Sequence, residues 1–259
     1  MPVFRKEAAE PEIRVEVAGL RWLAEAGGAP VAQLVRVGPT WLETRRLSHA
    51  SPTPDDAARF GRTLAATHAA GAPWWGAPPP GTTVGLLAGL DAPVASHPRW
   101  ASFGEFFAEA RLEPYLRAAR ALDSTGRAVV ARAIERIAAG GIDAAQPGLC
   151  RSSGATVARI HGDLWGGNVV WAAQSDRAVG TLIDPSAHGG HAETDLAELG
   201  VFHTPHLDAI LAGYQEVSPL ADGWRERVPA HQLHMLLVHV VLFGSSYASQ
   251  AVALARLVA

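Results

Sequence analysis

Lysine is almost missing from this chain: Lys6 is the only one, against 21 arginines in 259 residues. Such a skew implies that arginine has replaced lysine wherever the two are equivalent, and singles out Lys6 as a place where they are not. A compact ammonium on a flexible stem contacts phosphate as a point charge, which a planar guanidinium does not. Cysteine is equally scarce. A lone Cys150 excludes an internal disulfide and fits a reducing, cytoplasmic setting, where it reads as an ordinary buried thiol. No apolar run reaches membrane-spanning length, since His or Gln interrupts even residues 233–243. The opening Met-Pro-Val-Phe-Arg-Lys lacks the apolar core of a signal peptide. A net charge of -3 gives no footprint for nucleic acid or an anionic membrane, so neither is expected as a partner. Apolar residues, by contrast, make up 48% of the chain and charged ones 18%, enough core for one large domain or two lobes around a cleft.

The chemistry is concentrated in His161-Gly-Asp163-Leu-Trp165-Gly-Gly-Asn168 and the later Ile183-Asp184-Pro185. An aspartate, an asparagine five residues on and a second aspartate after a strand-length run are the parts that move a phosphoryl group from ATP to a hydroxyl. Asp163 would accept the hydroxyl proton, and Asn168 and Asp184 would hold Mg2+ against the phosphates. Residues 155–160 read as a strand entering the loop, 169–171 as a strand leaving it, and 179–183 as the strand that delivers Asp184. An ordinary polar turn needs neither the histidine nor the second aspartate. Lys6 lies on a predicted strand, 3–6, ahead of a predicted helix, 12–26, with Ile13, Val17, Leu20 and Ala24 on one face. A strand lysine paired with a glutamate on the next helix orients the α- and β-phosphates in kinases. Glu16 is the first candidate partner and Glu12 the second.

Residues 34–37 and 41–47 read as further strands, and 48–56 as a polar connector beside which adenine would bind, with Glu43 and Thr44 at its approach. A helix is predicted over 54–68. The long Gly/Pro-rich stretch 69–98 is predicted to be an ordered, substrate-facing loop held by Trp74, Trp75 and Trp100. Helices follow at 102–121 and 124–139, then at 192–202, 206–216 and 230–257 beyond the motif. The expected fold is α+β and two-lobed: a small N-terminal lobe over 1–47, antiparallel sheet plus one helix, and a mainly helical lobe over 48–259. His231, His234 and His239 share a predicted helix, but neither a Cys cluster nor a His-Glu-x-x-His pattern makes them a metal site. His188 and His191, just past Asp184, are candidates either for contact with substrate or for a structural loop role.

On these residues the chain resembles the fructosamine kinases, or ketosamine-3-kinases, of the protein-kinase-like superfamily that includes aminoglycoside and choline kinases. The motif at 161–168 and Ile183-Asp-Pro-Ser-Ala-His-Gly-Gly-His-Ala-Glu-Thr-Asp-Leu196 carry most of the resemblance. Trp165 distinguishes the loop from that of most aminoglycoside kinases. Trp100, Phe106-Phe107, Arg111-Leu112, Tyr214, Gly223-Trp224 and Leu242-Phe243-Gly244 match as well. The resemblance implies ATP-dependent phosphorylation of the 3-hydroxyl of a ketosamine, the rearranged adduct of a sugar and an amine. The phosphorylated adduct then breaks down and frees the amine.

Carried over by position, Asp163 is the base, Asn168 and Asp184 bind Mg2+, and Lys6 and Glu16 form the phosphate-orienting pair. Trp165, Arg111, His188 and Trp224 are candidates for substrate contact, and Asp195 is expected to tie down the catalytic loop. The family carries two strands and a glycine-rich phosphate loop ahead of its lysine strand, which this sequence does not show. The polypeptide alone is therefore expected to turn over below the kinase range of about 1–100 per second, with its first strand an edge open to self-association. Rival expectations are a phosphotransferase for an aminoglycoside or amino alcohol, and a nucleotide-binding scaffold.

Overall fold

The computed structural model describes residues 2–259. Three strands, β1 (Val3–Glu7), β2 (Leu34–Gly38) and β3 (Trp41–Arg45), form an antiparallel sheet in the order β1-β3-β2, so β1 is an edge strand. Helix α1 (Glu10–Glu25) packs on it through Ile13 and Val17, which meet Leu42. Pro11 in the first turn and Glu10 and Glu12 beside the positive end of the helix dipole favour a start there. Its buried stripe ends on Leu23, while Ala24, expected inside, is exposed. Residues 46–53 leave the sheet along the helical lobe, where Ala50 N–H donates to the Trp171 carbonyl at 2.9 Å.

Helix α2 (Pro54–Ala69) opens with a full capping box between Thr53 and Asp56 and has Pro54 at its first position. It packs tightly on a later helix, Leu207–Val217. The segment expected as a substrate loop is ordered around a small hairpin, β4 (Leu86–Leu87) and β5 (Leu90–Asp91). Its tryptophans hold it by packing inward. Trp74 Nε1 donates to the Ala95 carbonyl at 2.8 Å, and Trp100 lies edge-on to Phe106. Then come α3 (Phe103–Phe107), a π-helical stretch over Ala108–Leu112, α4 (Glu113–Ala118), α5 (Ser124–Arg136) and α6 (Gly148–Ser152).

Strand β6 (Ala158–Ile160) enters the motif loop, and β7 (Val169–Gln174) and β8 (Arg177–Leu182) form the hairpin beyond it. A short strand with no alternation to announce it, β9 (His188–Gly190), pairs with β6. Helices α7 (Ala192–Glu198), α8 (Leu207–Val217), α9 (Trp224–Phe243) and α10 (Ala248–Val258) complete the chain. By length and composition Trp224–Val258 could cross a membrane, contrary to the expectation from the sequence. It breaks at Gly244 (φ 72°), however, and α9 buries Leu233, Leu236, Leu237 and Val240 in the helical core. The result is a two-lobed, protein-kinase-like α+β fold.

Candidate active site

The β7–β8 hairpin pairs Val169 with Leu182, so Asn168 enters it and Asp184 leaves it at the same open end. Both oxygen donors are thereby fixed by one rigid element. Asn168 Nδ2 donates to the Asp163 carbonyl at 2.8 Å and to Asp163 Oδ2 at 2.9 Å. This leaves its Oδ1 as the free end of the amide. Asp184 sits in the left-handed region (φ 52°), which a short polar side chain tolerates better than a branched one. Its Oδ1 accepts from Lys6 Nζ at 3.0 Å, and Lys6 also meets Glu16 Oε2 at 2.8 Å. Five residues singled out in the sequence, from both lobes, therefore stand together.

Electrostatics follow from this crowding. Burial pushes the Asp163 carboxyl up to about 7, against the pull of the Asn168 amide, and the Asp184 charge adds to the rise. Burial likewise lifts Glu16 to about 7. Burial would lower Lys6, but Glu16 and Asp184 outweigh it and hold the ammonium above its ordinary value.

Beneath the loop lies a brace of side chains. His161 Nε2 donates to the Ile183 carbonyl at 2.8 Å, so its Nδ1 is free to accept from Asp163 N–H at 3.3 Å. One neutral imidazole thus links the Asp163 loop to the strand end that carries Asp184; burial keeps its pKa low. Asp195, wholly buried on α7, accepts from His161 N–H at 2.8 Å and Gly162 N–H at 2.9 Å, and His68 Nε2 lies 3.0 Å away. Glu198, one turn further, accepts from Leu164 N–H at 3.1 Å and meets His234 Nδ1 at 3.0 Å. Asp195 is expected in this role from its place in the motif; Glu198 is not, although the i, i+3 spacing puts both on one face of α7.

Two cavities open on either side of Lys6, Glu16 and Asp184, which line both. The first, about 600 Å³, lies against the sheet and is walled by Phe4, Leu42, Thr44, Arg45–Leu47 and His49. The second, about 320 Å³, holds Asp163, Asn168 and Trp165 and is closed by the β4–β5 turn and the end of α9. This division suits a nucleotide on one side and an acceptor on the other.

The fructosamine kinase family model matches residues 4–258. The chain belongs to the fructosamine kinase family. It is similar to the crystal structure of a candidate fructosamine-3-kinase from Thermobifida fusca at 42% identity and a TM-score of 0.85, covering 99% of this chain and 85% of that one. Choline kinase LicA from Streptococcus pneumoniae, at 14% identity and a TM-score of 0.60, shares the fold over 98% of this chain and 85% of its own. A "probable ketoamine kinase" of Synechocystis is 32% identical over 213 residues, 82% of this chain and 63% of that protein. Another from Enterococcus faecium is 42% identical over 94 residues, 35% of this chain and 31% of that protein. The chain thus matches less than two-thirds of the length of these two relatives.

Not every candidate from the sequence reaches the site. Glu43 does not line the nucleotide-side cavity: alternation along β3 turns Leu42 and Thr44 toward it and Glu43 away, onto Arg36 at 2.7 Å and Arg5 at 3.5 Å. Arg111, expected at the substrate, lines neither cavity. It lies buried in the π-helical stretch, donates to the Pro93 and Ala110 carbonyls at 2.7 and 3.0 Å, and sits over the Phe106 ring. Burial lowers it to about 10, so it stays charged near neutrality. His188 is corrected likewise. It is buried on β9 with Nδ1 donating to the Ser186 carbonyl at 2.8 Å, and burial keeps it neutral. Trp224 starts α9, about 22 Å along the helix from His239 at 1.5 Å per residue, and is absent from either cavity wall.

His191 caps α7 by accepting from Glu193 N–H at 3.2 Å. His191, Glu193 and His231 are close enough to suggest a metal site. Arg227 instead occupies both Glu193 oxygens at 2.6 and 2.8 Å, so the carboxylate's charge is already matched. Cys150 is buried and its thiol is pushed up to about 12, which makes it unreactive.

Proposed function

We propose that this protein transfers the γ-phosphoryl group of ATP to the 3-hydroxyl of a ketosamine, a fructosamine or ribulosamine free or on a protein lysine, and so leads to deglycation. Family membership implies ATP as donor. The observation that carries the reading is the junction of the two cavities at Lys6, Glu16 and Asp184, with Asp163 and Asn168 on the acceptor side.

Asp163 takes the proton of the attacking hydroxyl, and its carboxyl, lifted to about 7, suits a base working near neutrality. Lys6, steered by Glu16, contacts the α- and β-phosphates. Asn168 Oδ1 and the Asp184 carboxylate are hard oxygen donors of the kind Mg2+ takes, and these two residues would hold it. Bound there, Mg2+ would neutralise charge on the phosphates. Asp195, Glu198 and His161 hold the loop so that Asp163 does not have to be reorganised during transfer.

An aminoglycoside acceptor fits less well: a polycation needs several carboxylates beyond those of the transfer itself, and among the described residues lining the acceptor cavity only Glu12 is such an acid. The test is phosphate transfer from ATP and Mg2+ to fructosyl-lysine and ribulosyl-lysine, with kanamycin alongside. Transfer to a ketosamine supports the reading, and transfer to kanamycin alone overturns it.

A further inference from the structure

Phosphoryl transfer makes no use of the rings beside Asp163. His239, Leu242 and Phe243 from the last turns of α9 line the acceptor cavity opposite the sequence-distant Trp165. Phe202 and Tyr247 stand behind them and lock the wall. Ring centroids are 5.7 Å apart for Trp165 and Phe202, 4.8 Å for Phe202 and His239, 5.0 Å for His239 and Tyr247, and 5.4 Å for His239 and Phe243. Phe243 nevertheless keeps 59% of its surface exposed, with Leu242 next to it at 38%.

The acids of the cavity, Glu12, Glu16, Asp163 and Asp184, come from α1, the motif loop and the end of β8; α9 supplies none. A group held on the α9 wall is therefore either apolar or a cation resting against ring faces. His239 adds one directional contact. Its Nδ1–H donates to the Met235 carbonyl at 2.8 Å, so Nε2 of the neutral ring accepts, and it has no protein partner among the described residues. In a ketosamine the secondary ammonium is only a few bonds from the reacting hydroxyl. With that hydroxyl on Asp163, the nitrogen and its substituent extend beyond the sugar.

We propose that His239 and Phe243 form the subsite for the amine half of the acceptor, with His239 Nε2 accepting an ammonium N–H and the Phe243 ring face standing against the ammonium's charge. This rests on the ketosamine reading above. It goes further by assigning substrate selection to α9 rather than to the catalytic loop.

The test compares a ketosamine, fructosyl-propylamine, with its uncharged ether isostere, 1-O-propyl-fructose, in the parent, Phe243→Ala, Phe243→Tyr and His239→Ala. Phe243 is exposed, so its replacement leaves the fold intact. The parent is expected to prefer the ketosamine at least tenfold in kcat/KM. Phe243→Ala and His239→Ala should shrink that preference at least fivefold with little change for the ether, and Phe243→Tyr should retain it. An equal fall on both substrates, or no change, overturns the subsite.

A second readout does not depend on phosphate transfer. Titration of the same proteins with benzyltrimethylammonium, followed by tryptophan fluorescence, should show at least threefold weaker binding in Phe243→Ala. If no ketosamine is phosphorylated yet this loss appears, the proposed reaction fails and the subsite stands. If ketosamines are phosphorylated and binding of the probe is unchanged in Phe243→Ala, the reverse holds.

Discussion

Lys6 Nζ stands 3.0 Å from Asp184 Oδ1, joining the edge strand of the sheet to the far end of the β7–β8 hairpin. With Glu16 at 2.8 Å on its other side, the single lysine bridges carboxylates from both lobes. A guanidinium keeps the charge but not the compact shape that fits between two acids and phosphates. Lys6→Arg is therefore expected to lower kcat/KM for ATP by about 10²-fold, the scale of an ångström's misplacement. Thermal unfolding should shift little. Parent-like kinetics would show that arginine serves equally well there.

Asp195 satisfies two backbone donors of the catalytic loop and His68 from full burial. Asp195→Ala leaves those donors unpaired, at about 1–3 kcal/mol each. Urea unfolding should show a loss of at least about 3 kcal/mol on that basis, with a lower kcat in whatever folds. Asp195→Asn, which keeps one acceptor oxygen, should fall between.

Arg227 and Glu193 set an acid limit on stability. Burial alone would raise the Glu193 carboxyl, but Arg227 and His231 outweigh it and hold the pKa near about 2. A depressed carboxylate stabilises fully above its unfolded value of about 4.5 and loses that contribution as pH falls toward 2. Arg227→Met should cost about 3–5 kcal/mol at pH 7, since it strands a buried charge. The gap to the parent should narrow as pH falls, starting where the variant's stranded Glu193, raised by burial, takes up its proton and continuing below about pH 4.5. Buried His191 and His234, held near about 4 and 3, act in the same direction. The unfolded chain takes up their protons first, so their contribution should already fall below about pH 6.5, opposed by Asp163 and Glu16, whose carboxyls bind protons in the folded state from about pH 7. Melting temperatures across pH 3–8 test both trends, and a gap that stays constant to pH 3 would contradict the first.

Helices α2 and α8 meet through glycines. A Cβ on Gly61 would come within 2.0 Å of the Ile210 carbonyl oxygen, and one on Gly213 within 2.0 Å of the Ala58 oxygen. Gly61→Ala forces the helices apart and should cost about 1–3 kcal/mol, measured by urea unfolding. An unchanged midpoint would show that the crossing can relax.

The parts that chemistry constrains were the most legible in the sequence. Asp163, Asn168, Asp184, Lys6 and Glu16, which the proposed phosphoryl transfer ties together by residue type and order, stand at one place in the structure. Helices α1 and α2 declared themselves through caps and periodicity. What escaped reading depends on long-range packing. Strand β9 is three residues long with two glycines, so only its pairing with β6 makes it a strand. Arg111 looks like a surface cation until the helix that carries it is placed in the core. Trp224 belongs to the far end of α9 and not to the site; sequence does not show which end of a helix faces a cleft. The ring wall of Phe202, His239 and Phe243 likewise exists only once α9 is docked.

The most direct measurement is transfer of phosphate from ATP to fructosyl-lysine by the parent and by Asp163→Asn, with nucleotide binding followed in both. The parent should phosphorylate the sugar. The variant should fall by about two to four orders of magnitude in kcat, the usual share of a positioned base, while still binding Mg-ATP. Equal rates in the two proteins, or no ketosamine phosphorylation by a folded, ATP-binding parent, would contradict the account.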